Sequence, residues 1–144
     1  MRRNLIKIKD KINELKCYIV KNKNIIATYI FGSYGTNDQH AASDIDFAIL
    51  FKNRPSLFEE LQIESDISEI FARDDIDVVN LNMADIDICH QVLYTGELLY
   101  CSDEIALADY KEKVFNIYGD YGLILKKFYD DFAEGLNLNY GSSR

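Results

Sequence analysis

The stretch Gly32-Ser33-Tyr34-Gly35-Thr36-Asn37-Asp38-Gln39-His40-Ala41-Ala42-Ser43-Asp44-Ile45-Asp46 decides how this chain reads. A β-branched and aromatic run, Ile25 to Phe31, stops at Gly32, the pattern of a buried strand emptying into a turn. From Asp44 to Phe51, Ile45, Phe47, Ile49 and Phe51 alternate with Asp44, Asp46, Ala48 and Leu50, the period of a second strand. Asp44 and Asp46 then leave the same face, their Cα atoms roughly 6.5 Å apart at about 3.3 Å per residue. Two carboxylates held that close repel, and one tends to keep its proton unless a cation is shared. Mg²⁺, which prefers oxygen ligands and commonly arrives carrying phosphates, fits such a pair. A helical turn starting at Ser33 would offer backbone N–H groups to outer phosphates, and Gly32 would let those phosphates approach the main chain.

Working outward, Leu5, Ile8, Ile12, Leu15 and Ile19 recur at three- and four-residue steps and predict a first helix over 5–20. Pro55, the only proline, suits the first turn of a second helix running to Ala72. Ile76 to Leu81 reads as a third strand, Met83 to Tyr94 as a helix ended by Gly96, and Glu97 to Cys101 as a short edge strand. Asp103 and Glu104 open a long C-terminal helix, with a bend expected at Gly119 or Gly122. The expected class is α/β (α+β): a short mixed β-sheet flanked by helices, with one domain over 1–140 and a flexible tail over 141–144.

Asp77, an acidic residue in the otherwise apolar run Ile76-Asp77-Val78-Val79-Asn80-Leu81, is the expected third carboxylate, because an unpaired buried carboxylate is costly without a metal or reacting hydroxyl to face. Asp75 precedes the strand and reads as a solvated turn residue. Tyr34 reads as an aromatic packed against the loop, His40 as exposed, and His90 as a packed or partly exposed residue of its helix.

The chain has 144 residues, 48% hydrophobic and 28% charged, with a formal net charge of −8. That balance suits a folded domain, and the negative surface disfavours nucleic acid as a partner. The basic stretch from Arg2 through Lys23 reads as a solvated helix face. Cys17, Cys89 and Cys101 form no metal-ligand spacing and suit reduced thiols in a cytoplasm. No apolar run approaches the roughly 18 residues of a membrane span.

The pattern Gly-Ser, ten residues, Asp-x-Asp and a later strand aspartate resembles the nucleotidyltransferase superfamily that includes DNA polymerase beta and the aminoglycoside nucleotidyltransferases. The size and the order of elements, through Val92-Leu93-Tyr94-Thr95-Gly96-Glu97-Leu98-Leu99-Tyr100 to the terminal helix, look like the minimal nucleotidyltransferases of the MntA type. The resemblance implies an antitoxin that attaches AMP from ATP to a tyrosine of a HEPN-domain ribonuclease toxin. It also implies that Gly32 and Ser33 hold the triphosphate, that Asp44 and Asp46 bind Mg²⁺, in all two ions, and that Asp77 completes the metal site and helps activate the acceptor hydroxyl. The alternatives are an antitoxin that masks its toxin by contact alone, and a small-molecule nucleotidyltransferase, for which the chain has little room to hold a substrate.

Overall fold

The computed structural model describes residues 3–36, 39 and 44–119. A single 3-10 turn, Ile6–Ile8, leads into α1 (Lys9–Val20). The elements β1 (Ile25–Phe31), β2 (Ile45–Phe51), α2 (Leu57–Phe71), β3 (Ile76–Asn80), α3 (Ile86–Thr95) and β4 (Glu97–Cys101) follow. A further helix, α4, starts at residue 104 and runs through 119. α4 is helical through Gly119, while Gly122, where the other expected bend falls, the rest of the chain from residue 120 and the tail over 141–144 lie outside the described residues.

The sheet has the order β3-β2-β1-β4. β1 is antiparallel to both β2 and β4, whereas β2 and β3 run parallel, so the sheet is mixed. Parallel neighbours need a crossover, and α2 supplies it. Its start is fixed by a capping box: Glu59 N–H donates to Ser56 Oγ at 3.1 Å and Ser56 N–H donates to Glu59 Oε1 at 3.1 Å. Pro55 therefore precedes the N-cap instead of occupying the first helical turn. The helix ends at Ala72, in the left-handed region at φ 52°.

Side-chain alternation divides the sheet into two apolar faces. On one, Phe47 and Ile49 of β2 pack with Leu15 and Ile19 of α1 and Ile67 and Phe71 of α2. The Phe47 and Phe71 ring centroids lie 5.3 Å apart. On the other, Ala48 and Leu50 meet Leu81, Cys89 and Val92 on and before α3, with Leu107 and Val114 of α4. Burying each such aliphatic side chain stabilises the fold by about 1.5–3 kcal/mol. Residues 45, 47, 49 and 51 thus anchor β2 to α1 and α2, and the same alternation carries Asp46 to the α3 and α4 face, beyond the end of the apolar row.

Candidate functional site

Register places the carboxylates. In the parallel pair, Asp46 and Asp77 are direct Cα partners, with Ile45 opposite Ile76 and Phe47 opposite Val78. Register partners in a parallel pair point to the same face, and neighbouring strands lie about 4.8 Å apart. Asp46 and Asp77 therefore stand side by side at the start of their strands. Asp44 is exposed and precedes β2, which begins at Ile45, one residue later than the alternation predicts. The strand start is held by Ile45 N–H donating to the carbonyl of Asp75 at 3.1 Å.

The third wall is the end of β1. Phe31 is the register partner of Asp46, so Gly32 follows directly beside that carboxylate. Gly32 has φ 78°, and a Cβ there would collide with Asp46 Oδ2. Glycine is needed here for the backbone conformation and to leave room for the aspartate. Beyond it the chain makes one hydrogen-bonded turn, Thr36 N–H donating to Ser33 O at 3.0 Å, and not the helical turn expected from Ser33. The described turn therefore carries no helix macrodipole.

Electrostatics show how close the acidic groups are. Partial burial, ahead of the negative charges of Asp77 and Asp44, pushes the Asp46 carboxyl above its ordinary value, while the Arg3 guanidinium pulls it down. Such a set suits a hard cation, because a shared ion removes the repulsion that holds a proton on one member. Among the described residues no group of three or more His, Cys, Asp or Glu side chains is placed to hold a metal ion without rearrangement. Asp44, exposed before β2, and Asp77, exposed on the edge strand, lie near enough to Asp46 for their charges to act on it.

Two expectations change. Asp77 is exposed, since β3 is the edge strand and the residue stands near its first end. The cost of burying an unpaired carboxylate therefore does not explain it; its register opposite Asp46 does. Arg3, in the basic stretch read as a solvated helix face, is only 9% exposed and precedes the helix altogether. No periodicity marks it, because its partners are main-chain carbonyls distant in sequence.

The neighbours agree with their sequence readings. Asp75 is engaged by Arg73, whose Nε and Nη2 donate to its two oxygens at 2.7 and 2.6 Å. Tyr34 is buried in the α1 and α2 core, with the Arg73 guanidinium 5.7 Å from its ring centroid. His90 is packed, stacked on Tyr118 at 3.6 Å between ring centroids. His40 lies outside the described residues. Cys17, Cys89 and Cys101 are free thiols, and among the described residues no helix is long and apolar enough to cross a membrane.

Comparisons with known proteins point to one family and one fold. The family model described as Polymerase beta, Nucleotidyltransferase matches residues 13–105, which contain the Gly-Ser turn and all three aspartates. The protein adenylyltransferase MntA of Shewanella oneidensis is 32% identical over 72 residues, 50% of this chain and 51% of that protein. The chain thus spans about half the length of this curated relative. Among solved structures, a chain of a toxin–antitoxin complex with AMP-PNP superposes with a TM-score of 0.68 at 24% identity, covering 86% of this chain and 97% of that one. A chain of the tri-AMPylated S. oneidensis HEPN toxin in complex with MNT antitoxin gives a TM-score of 0.66 at 20% identity, covering 87% and 98%. At these identities the structural likeness establishes the fold.

Proposed function

Because the chain belongs to the polymerase beta nucleotidyltransferase family, we propose that it transfers AMP from ATP to a tyrosine hydroxyl of a HEPN-family ribonuclease and so acts as its antitoxin. The observation that carries the proposal is the pairing of Asp46 with Asp77 beside the Gly32 turn. The adenylyltransferase name of the relative and the AMPylated toxin in the similar complex support AMP as the group and a HEPN protein as the acceptor. The complex with AMP-PNP supports ATP as the donor.

In this scheme Gly32 and Ser33 hold the triphosphate, and Asp44, Asp46 and Asp77 would hold Mg²⁺. The ion, when bound, supplies positive charge to the α-phosphate and to the departing pyrophosphate. The acceptor tyrosine oxygen forms a new bond to the α-phosphorus as the bond from that phosphorus to the bridging oxygen of the β-phosphate breaks. The phenolic proton passes to Asp77, whose exposure leaves it reachable from a partner's surface. Most of the rate gain comes from holding the oxygen and phosphorus in line and neutralising charge.

The deciding experiment mixes the purified chain with Mg²⁺, α-labelled ATP and the co-expressed partner. Label should appear on a partner tyrosine with release of one pyrophosphate per AMP attached. No transfer from the wild-type chain under saturating ATP and Mg²⁺ would overturn the proposal.

A further inference from the structure

The N-terminal segment meets the phosphate-side turn through contacts more specific than packing requires. Arg3 Nη1 donates to the carbonyls of Gly32 at 2.6 Å and Tyr34 at 2.9 Å, and Nη2 donates to the carbonyl of Thr95 at 3.0 Å. The next residue continues the strap: Asn4 N–H donates to Gly35 O at 2.8 Å. The remaining carbonyl of the turn, Ser33 O, accepts from Thr36 N–H at 3.0 Å and Thr36 Oγ1 at 2.6 Å. All four carbonyls from Gly32 to Gly35 are therefore engaged within the protein. Gly35, at φ 78°, makes this possible, because a Cβ there would stand 2.8 Å from Asn4 O and 3.1 Å from Arg3 Cβ.

Burying a guanidinium is costly unless its charge and donors are used. An apolar side chain in the same space would leave the carbonyls of Gly32, Tyr34 and Thr95 without these donors, so the guanidinium has the task of organising the turn. Carbonyl oxygens facing a polyphosphate repel it; carbonyls bound to a guanidinium fork are turned inward and their dipoles compensated. Arg3 also places a positive charge beside Asp46, whose negative field otherwise opposes an incoming triphosphate.

We propose that Arg3 is a positioning residue for the donor triphosphate: it binds the carbonyl side of the Gly32–Tyr34 turn, ties that turn to Thr95 at the end of α3, and offsets carboxylate charge without touching the reacting atoms. The proposal rests on the nucleotide-site reading above. It predicts that Arg3 governs affinity for the polyphosphate and leaves affinity for the acceptor unchanged.

The test measures, for wild type, Arg3→Lys and Arg3→Ala, the melting temperature, binding of Mg–ATP and of inorganic tripolyphosphate, and KM for ATP and for the acceptor separately. Lysine keeps the charge but not the planar fork, so Arg3→Lys should fold, raise KM for ATP about tenfold and weaken tripolyphosphate by a similar factor, with the acceptor KM unchanged. Arg3→Ala, where it folds, should show a larger effect in the same direction. A folded Arg3→Lys protein with wild-type affinity for both polyphosphates overturns the role of Arg3 while leaving the nucleotide site standing. An Arg3→Lys chain that cannot fold would make the residue structural alone and also overturn it. Wild-type protein that binds neither Mg–ATP nor tripolyphosphate overturns the nucleotide-site reading and, with it, this one.

Discussion

Asp46 on β2 and Asp77 on β3 are direct partners across a parallel strand pair, and partial burial, followed by the negative charge of Asp77, raises the proton affinity of Asp46 at the end of an otherwise apolar sheet. A raised carboxyl favours the fold only while protonated, below its unfolded-state value, and that contribution is lost as the pH rises through its folded value. At neutral pH Asp46 thus works against stability when no cation is bound. Asp46→Asn should lower transfer by about a hundredfold or more, since metal charge at the phosphate is lost. Without Mg²⁺ its melting temperature should equal or exceed that of wild type. Calorimetry with and without Mg²⁺, alongside label transfer, checks both halves; a folded variant with near-normal transfer would refute the metal role.

Gly32 couples backbone conformation to the site. With φ 78° and the Asp46 carboxylate where a Cβ would stand, Gly32→Ala has to strain the turn and displace the aspartate together. It should cost about 1–3 kcal/mol in denaturant unfolding and abolish detectable transfer. A Gly32→Ala protein of wild-type stability would contradict the described turn.

The Arg73–Asp75 pair, next to the site, supplies a pH signature of opposite sign to that of Asp46. Hydrogen bonding from Arg73 holds the Asp75 carboxyl below its ordinary value. A depressed carboxyl contributes stability above its unfolded-state value and loses it as the pH falls through the lower folded value. Asp75→Asn should therefore melt lower than wild type at neutral pH, with the gap closing in the acid range below the ordinary carboxylate value. The pair is about one-third exposed, so added salt should shrink the gap as well. Melting curves over a pH series decide it; a gap that widens on acidification would exclude the ion pair as its source.

Much of this was legible from the residues alone. The Ile45-Phe47-Ile49-Phe51 alternation located β2, and Ile25 to Phe31 coincides with β1, because a strand buried on both faces reads as a near-continuous apolar run. The pairing of Asp46 with Asp77 was within reach as a third carboxylate on a nearby strand, although its physical reason was mistaken: register matters there, and burial does not. Boundaries set by local hydrogen bonds were harder to read. Ser56 capped by Glu59 fixes the start of α2 after Pro55, and Ile86, not Met83, begins α3. Arg3 was illegible because its partners are carbonyls at Gly32, Tyr34 and Thr95, and a carbonyl leaves no trace in side-chain pattern.

The last prediction separates catalysis from masking and turns on the exposed Asp77. Surface substitutions away from special contacts change stability by about 0.5 kcal/mol or less, so Asp77→Asn should fold as wild type does. If protection is catalytic, a small amount of wild-type chain with ATP and Mg²⁺ inactivates a large excess of the HEPN-family partner, and the partner stays inactive after separation because the AMP is covalent. Asp77→Asn should still bind that partner, since one carboxylate is a minor part of a protein interface, and yet fail to protect, since proton acceptance and metal binding are both impaired. Mass spectrometry of the partner and a ribonuclease assay at graded ratios read the two properties independently. Protection by Asp77→Asn only at equimolar ratio, equal to that of wild type and without added mass on the partner, would show that contact alone silences the ribonuclease.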